Sequence, residues 1–262
     1  MSERAVQFGR TGTLAGVLAT PTATAAATAA DDALPLLVMP RSALLKGAAP
    51  RRLTVELARA ARERGLQSLR FDLGGCGDSG ERPAGETDDA AAVNDVCDAL
   101  DFLARPDPQR RFVLLGVNAD LDAIVRVAAE DERVAGLVSI NGPAFRTGGY
   151  WLRRCARALV FSGSGRPDDS EGRAAGRLAR DRHAFAAAIQ VLADRGVRML
   201  HVYSGGATAR EFNHARQFWS MLPPLRTNGR LAVAHLPAAD RGFTCREDRG
   251  QLFDICLGWM ER

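Results

Sequence analysis

The residues that bear most directly on chemistry are Phe112-Val113-Leu114-Leu115-Gly116-Val117-Asn118-Ala119-Asp120. An all-apolar run reads as a buried strand, and the helical pattern that resumes near Leu121 reads as a helix entered through a tight turn. Turns of the form Gly-x-Ser-x-Gly or Gly-x-Cys-x-Gly present a nucleophile for acyl transfer. Here the nucleophile position holds Asn118, and the second glycine position holds Asp120. A carboxamide has no ionisable proton and negligible nucleophilicity, so an acyl-enzyme cannot start from it. Asparagine does tolerate positive φ, so the turn's geometry is expected to survive without its reactivity, the simpler reading being a plain helix N-cap.

Other groups offer less. The four histidines, His183, His201, His214 and His235, show no H-x-x-x-H or H-E-x-x-H spacing, and no metal site is expected. His201 and His235 fall at strand positions and read as hydrogen-bonded core residues; His183 and His214 fall on helices. Ser42, Ser139 and Ser204 fall near strand ends, but sequence compels no pairing of them with a histidine and a carboxylate. Gly75-x-Gly77-x-x-Gly80 follows a strand and matches the dinucleotide fingerprint in form. Pro83 and Gly85 delay the next helix, so no helix start would meet a pyrophosphate, and the loop reads as a structural turn. No cofactor is expected.

Five cysteines (Cys76, Cys97, Cys155, Cys245 and Cys256) without C-x-x-C spacing read as reduced, mostly buried thiols of a cytoplasmic protein. Lys46 is the sole lysine, and the arginines are interspersed with acids although net charge is +4. That pattern, without aromatic-interleaved basic runs, gives no reason to expect nucleic-acid binding. Residues 1–30 lack the basic-then-apolar order of a leader, and no apolar run suffices for a membrane span.

These residues are positioned by alternating strands and helices. Ala5–Phe8 and Leu14–Leu18 predict an antiparallel hairpin at one sheet edge. Strands are predicted at Leu34–Met39, Leu66–Leu73, Phe112–Val117, Val134–Ile140, Val197–Tyr203 and Leu231–Leu236. Helices are predicted from Pro50 to Gly65, after Thr87, from Leu121, around Phe212–Trp219, and through Leu252, Phe253, Cys256 and Trp259. The alternation implies an α/β class with a mainly parallel eight-stranded sheet covered on both faces. Phe145–Arg195 interrupts it and is rich in arginine; a cap over the pocket is expected there, against a simpler reading as helices packed on the sheet edge.

Phe71-Asp72-Leu73-Gly74-Gly75-Cys76-Gly77-Asp78-Ser79-Gly80, Pro50-Arg51-Arg52-Leu53, the elbow strand, and Val134-Ala135-Gly136-Leu137-Val138 leading to Asn141-Gly142-Pro143 carry a resemblance over nearly the whole chain. The chain resembles α/β-hydrolases of the serine-aminopeptidase-like group, and is similar to small bacterial hydrolases encoded with exosortase or exopolysaccharide systems. The resemblance implies a core of 1–144 and 196–262 with a cap-like insertion at 145–195. It also implies a triad whose positions here hold Asn118, Ala207 (in Tyr203-Ser204-Gly205-Gly206-Ala207) and Arg241 (in Asp240-Arg241-Gly242-Phe243).

The expectation is thus a pseudoenzyme that binds a ligand or partner. An active esterase or acyl-transfer enzyme with an unconventional nucleophile is the alternative, and a module without a pocket is a third. Expected ligand contacts are Arg41, Ser42, Val117, Asn118, Ala119, Asp240 and Arg241, around a small anionic or acyl ligand held by backbone N–H groups and a helix start. Asp120 and Asp122 oppose a bare anion there. Expected protein partners are a second copy of the chain or an active hydrolase paralogue.

Overall fold

A computed structural model describes residues 3–21, 34–41, 48–82, 85–118, 121–160, 176–205 and 212–262, with backbone only for 48–51 and 157–160. Ser42, Ala119, Asp120 and Ala207 lie outside the described residues, as does the stretch 161–175 of the expected cap.

Eight strands, β1 (Glu3–Phe8), β2 (Leu14–Ala19), β3 (Leu36–Arg41), β4 (Ser68–Asp72), β5 (Phe112–Val117), β6 (Val134–Ile140), β7 (Arg198–Ser204) and β8 (Leu231–Leu236), form one sheet ordered β1-β2-β4-β3-β5-β6-β7-β8. The β1–β2 hairpin is antiparallel and sits at the edge, as its turn and alternation predict; from β4 to β8 every pairing is parallel. Parallel strands need crossovers, and helices supply them. The helices described are α1 (Ala48–Glu63), α2 (Asp88–Ala104), α3 (Leu121–Glu130), α4 (Gly148–Val160), α5 (Arg177–Arg180), α6 (Arg182–Asp194), α7 (Arg216–Met221) and α8 (Arg246–Met260). Thr87 caps α2, its hydroxyl accepting from Ala90 N, and Gly65 after α1 takes φ 82°.

β5 shows how the layers divide. Phe112 and Leu114 point to a core built with α2, α3 and α6, whereas Val113, Leu115 and Val117 point to a second core built with α1 and α8. Because both faces are covered, the strand is apolar at every position and fully buried. Within 145–195, α6 buries Phe185, Ala186, Ile189, Leu192 and Ala193 in the first core, so its described part contributes to the sheet-covering layer. The helix expected around Phe212–Trp219 begins at Arg216, so His214 precedes it.

Candidate functional site

Strand β5 ends at Val117, and Asn118 follows with φ 54°. An N-cap residue has extended backbone and a side-chain oxygen that accepts from the helix start. Asn118 has neither: its backbone is left-handed, and its buried Oδ1 has no hydrogen-bond partner. The plain-cap reading therefore fails, and the left-handed backbone expected at an elbow position is present at Asn118. Left-handed backbone costs a non-glycine residue about 1 kcal/mol or more, and asparagine is among the least penalised.

The neighbouring strand repeats this geometry. Asn141 follows β6 with φ 51°. Its Oδ1 accepts from Ser204 N at 2.8 Å, and its Nδ2 donates to the Arg241 carbonyl at 3.1 Å. One carboxamide thus fastens the end of β6 to the end of β7 and to the loop after β8. Sequence reasoning assigned Asn141 no role; the available signal was an asparagine at a strand end before Gly-Pro, a place that favours left-handed backbone.

The loop after β8 is built around Asp240. Its carboxylate accepts from Gly242 N at 2.7 Å, Thr244 N at 3.1 Å and the Thr244 hydroxyl. Burial works to raise the Asp240 carboxyl pKa, but the hydrogen bonds from Thr244, Gly242 and Phe243 outweigh it and hold the pKa below its ordinary value. Phe243, at φ 49°, is buried, and Arg249 donates to the carbonyls of Phe243 and Thr244 while its Nε reaches Glu56 at 2.8 Å. Asp240 is thus a turn-former, and Arg241 stands exposed on that turn.

Arg41, at the end of β3, is occupied. Its Nε donates to Asp72 Oδ1 at 2.9 Å, with Nη2 on the same oxygen. Asp78 N donates to Oδ2 at 3.2 Å, and a Cβ on Gly77 would stand 2.1 Å from that oxygen. Ser79 Oγ accepts from Ala15 N and donates to the Asp72 carbonyl. The glycine-rich loop is a latch that closes over a half-buried ion pair. The Arg41 charge is compensated by Asp72 before any ligand arrives.

Asp122, in the first turn of α3, faces 176–178. It accepts from Leu178 N at 3.3 Å, and Gly176 passes so close that a Cβ there would fall 2.4 Å from Oδ2. Burial raises its carboxyl pKa, opposed by the N–H groups of Leu178 and Arg177. Asp122 thereby ties α5 to the helix that follows Asn118.

The histidines go to four different uses. His235 Nε2 bonds the Gly205 carbonyl at 2.8 Å, and His214 Nδ1 accepts from Arg216 N at 3.1 Å. His183 lies exposed on α6. His201 corrects an expectation: it is a core residue, but neither ring nitrogen has a partner. It sits against Phe185 and Phe218, with ring centroids 5.7 and 5.1 Å away, and burial pulls its pKa down to about 3. Ser139, its register partner on β6, also has an unpartnered buried hydroxyl. All five cysteines are free; only Cys256 is fully buried, whereas Cys155 and Cys245 are exposed, against the expectation of mostly buried thiols. Among the described residues no cluster of His, Cys, Asp or Glu is arranged to hold a metal, and no helix is long and apolar enough to cross a membrane.

This order of strands has parallels among solved structures. The fold is that of the α/β-hydrolases. The esterase domain of a Rhodothermus marinus protein superposes with a TM-score of 0.60 at 18% identity, covering 99% of this chain and 98% of that one. An alpha-beta serine hydrolase homologue from Coxiella burnetii gives 0.61 at 18% identity, covering 98% and 95%. A serine hydrolase without lid from Xanthomonas campestris gives 0.60 at 17% identity, covering 99% and 94%. No family model matches the sequence, and no curated protein matches it significantly. At these identities the likeness concerns the hydrolase fold.

Proposed function

We propose that this protein is an α/β-hydrolase-fold pseudoenzyme that holds an acyl ligand at Asn118 without cleaving it. The observation that carries the reading is the left-handed turn at Asn118 with an unpartnered, buried carboxamide oxygen. The turn has the form that would present a nucleophile, and the residue in it cannot attack a carbonyl. Three of the four histidines support the same reading: His235 and His214 bond backbone groups, and His201 is sealed among aromatic rings.

Ligand chemistry follows from what the site lacks. A buried acceptor without a donor costs about 1–3 kcal/mol, so a ligand offering an N–H or O–H to Asn118 Oδ1 recovers that cost. Arg41 is neutralised by Asp72, which leaves less positive charge for a bare anion than the sequence implied. An amide, which pairs a donor with an acyl carbonyl, fits better than a carboxylate or phosphate. Arg241 stands exposed on the turn after β8, and the link to exopolysaccharide or exosortase systems, or to an active paralogue, rests on the sequence resemblance.

The test is twofold. Treatment with a fluorophosphonate and with p-nitrophenyl esters is expected to give neither labelling nor turnover. Calorimetric titration with short-chain carboxamides is expected to give binding that Asn118→Leu abolishes. Stoichiometric labelling would establish the alternative, a working esterase with an unconventional nucleophile, for which the esterase among the structural relatives argues.

A further inference from the structure

Helices α4 and α7 leave the carboxyl ends of β6 and β7 and are stitched together. Asn213 Nδ2 donates to the Tyr150 carbonyl at 3.2 Å, Arg153 Nε donates to Asn213 Oδ1 at 2.9 Å, and Gln217 Nε2 donates to the Phe145 carbonyl at 3.1 Å. In both segments large apolar side chains stand in solvent. Trp151 is 48% exposed, Leu152 73% and Trp219 52%, and Cys155 and Ala156 are exposed one turn beyond Trp151 and Leu152. Residues i, i+1, i+4 and i+5 of one helix share a face, so α4 presents an apolar stripe to solvent.

The segments that carry these residues are basic. Residues 145–156 and 212–226 contain Arg146, Arg153, Arg154, Arg216 and Arg226 and no aspartate or glutamate. Arg153 and Arg154 bond neutral partners, Asn213 and the Tyr150 hydroxyl, so their charges remain for an outside anion. Arg146 lies over the Trp151 ring at 5.5 Å. His214, between the two helices, has its pKa lowered by partial burial and by the nearby Arg153, His235 and Arg216.

We propose that α4 and α7 form a docking surface for an anionic membrane, with Trp151, Leu152 and Trp219 entering the interface and Arg153, Arg154 and Arg216 meeting lipid phosphates. Interfacial helices combine aromatic and leucine side chains with a basic surround in this way. An acidic protein would satisfy the arginines without requiring two exposed tryptophans beside a leucine. A second copy would bring the same arginines against these and repel itself. This inference is independent of the chemistry at Asn118.

The test uses the full chain and unilamellar vesicles of phosphatidylcholine, with and without phosphatidylglycerol. Co-flotation only with the anionic vesicles, weakened by added salt and accompanied by a blue shift of tryptophan emission, is expected. Trp151→Ser with Leu152→Ser should lower partitioning roughly tenfold or more while melting stays within a few degrees, because both side chains are exposed. Trp219→Ser should weaken it less. No flotation with anionic vesicles overturns the proposal, as does undiminished binding by the double variant. A lipid-free dimer that the double variant converts to monomer would assign the face to a second copy and also overturn it.

Discussion

Asn118 and Asn141 occupy equivalent places on adjacent strands: Val117 pairs with Ile140, each asparagine is the next residue, and their φ angles are 54° and 51°. They differ in what their carboxamides do. Asn141 uses both ends to hold β7 and the loop after β8, whereas the oxygen of Asn118 holds nothing. One is a structural clamp; the other leaves a buried acceptor unpaired.

Asn118→Ser is expected to remain inactive. A hydroxyl at this turn still needs a base, and His235, His214 and His201 are bound to backbone or enclosed by rings. The measurement is p-nitrophenyl acetate hydrolysis against the uncatalysed rate, with fluorophosphonate labelling alongside. Activity rising well above background would mean that a base reaches position 118 after all.

Asn141→Ala should destabilise the protein by about 2–3 kcal/mol, from two lost hydrogen bonds and a left-handed residue with a Cβ and no compensating side chain. Asn141→Gly removes the same bonds but relieves the backbone, so it should cost less. Urea unfolding of both variants reads the difference. Equal losses would show that backbone conformation contributes nothing at this position.

Gly77→Ala should be more costly than its size implies. The added Cβ meets Asp72 Oδ2, and the backbone sits at φ 52°. The carboxylate must move away from Arg41 and the new Cβ sits on left-handed backbone, so about 2–4 kcal/mol is expected. Chemical denaturation tests this; a loss below about 0.5 kcal/mol, the surface-substitution range, would show that the latch yields freely.

His201 makes stability depend on pH. Its folded pKa is depressed to about 3 from 6.5 by burial, so between those values the unfolded chain binds a proton that the folded chain refuses. Stability is therefore undiminished above pH 6.5 and is lost progressively as pH falls towards 3. By about pH 5 the loss is about 2 kcal/mol. His201→Phe keeps the ring contacts and removes the titration, so its stability advantage over wild type should widen by that amount from neutral pH to pH 5. A constant difference across that range would show that the ring takes its proton in the folded state.

Much of the architecture was legible in the residue pattern, because each strand and helix carries its own periodicity. Val134–Ile140 and Leu231–Leu236 were predicted to the residue, since each is a mostly apolar run between polar residues. The left-handed backbone at Asn118 was legible from an asparagine at a strand end.

What only the tertiary structure decided depends on parallel register between distant segments. That Arg41 is neutralised by Asp72, that Asn141 reaches Arg241 a hundred residues on, and that His201 lies with no partner against Phe185 are all through-space facts. Local sequence sets which residues lie on a strand and which way they alternate. It carries no record of which strand ends meet, because hydrogen-bond partners at the sheet's edge are chosen when the layers close.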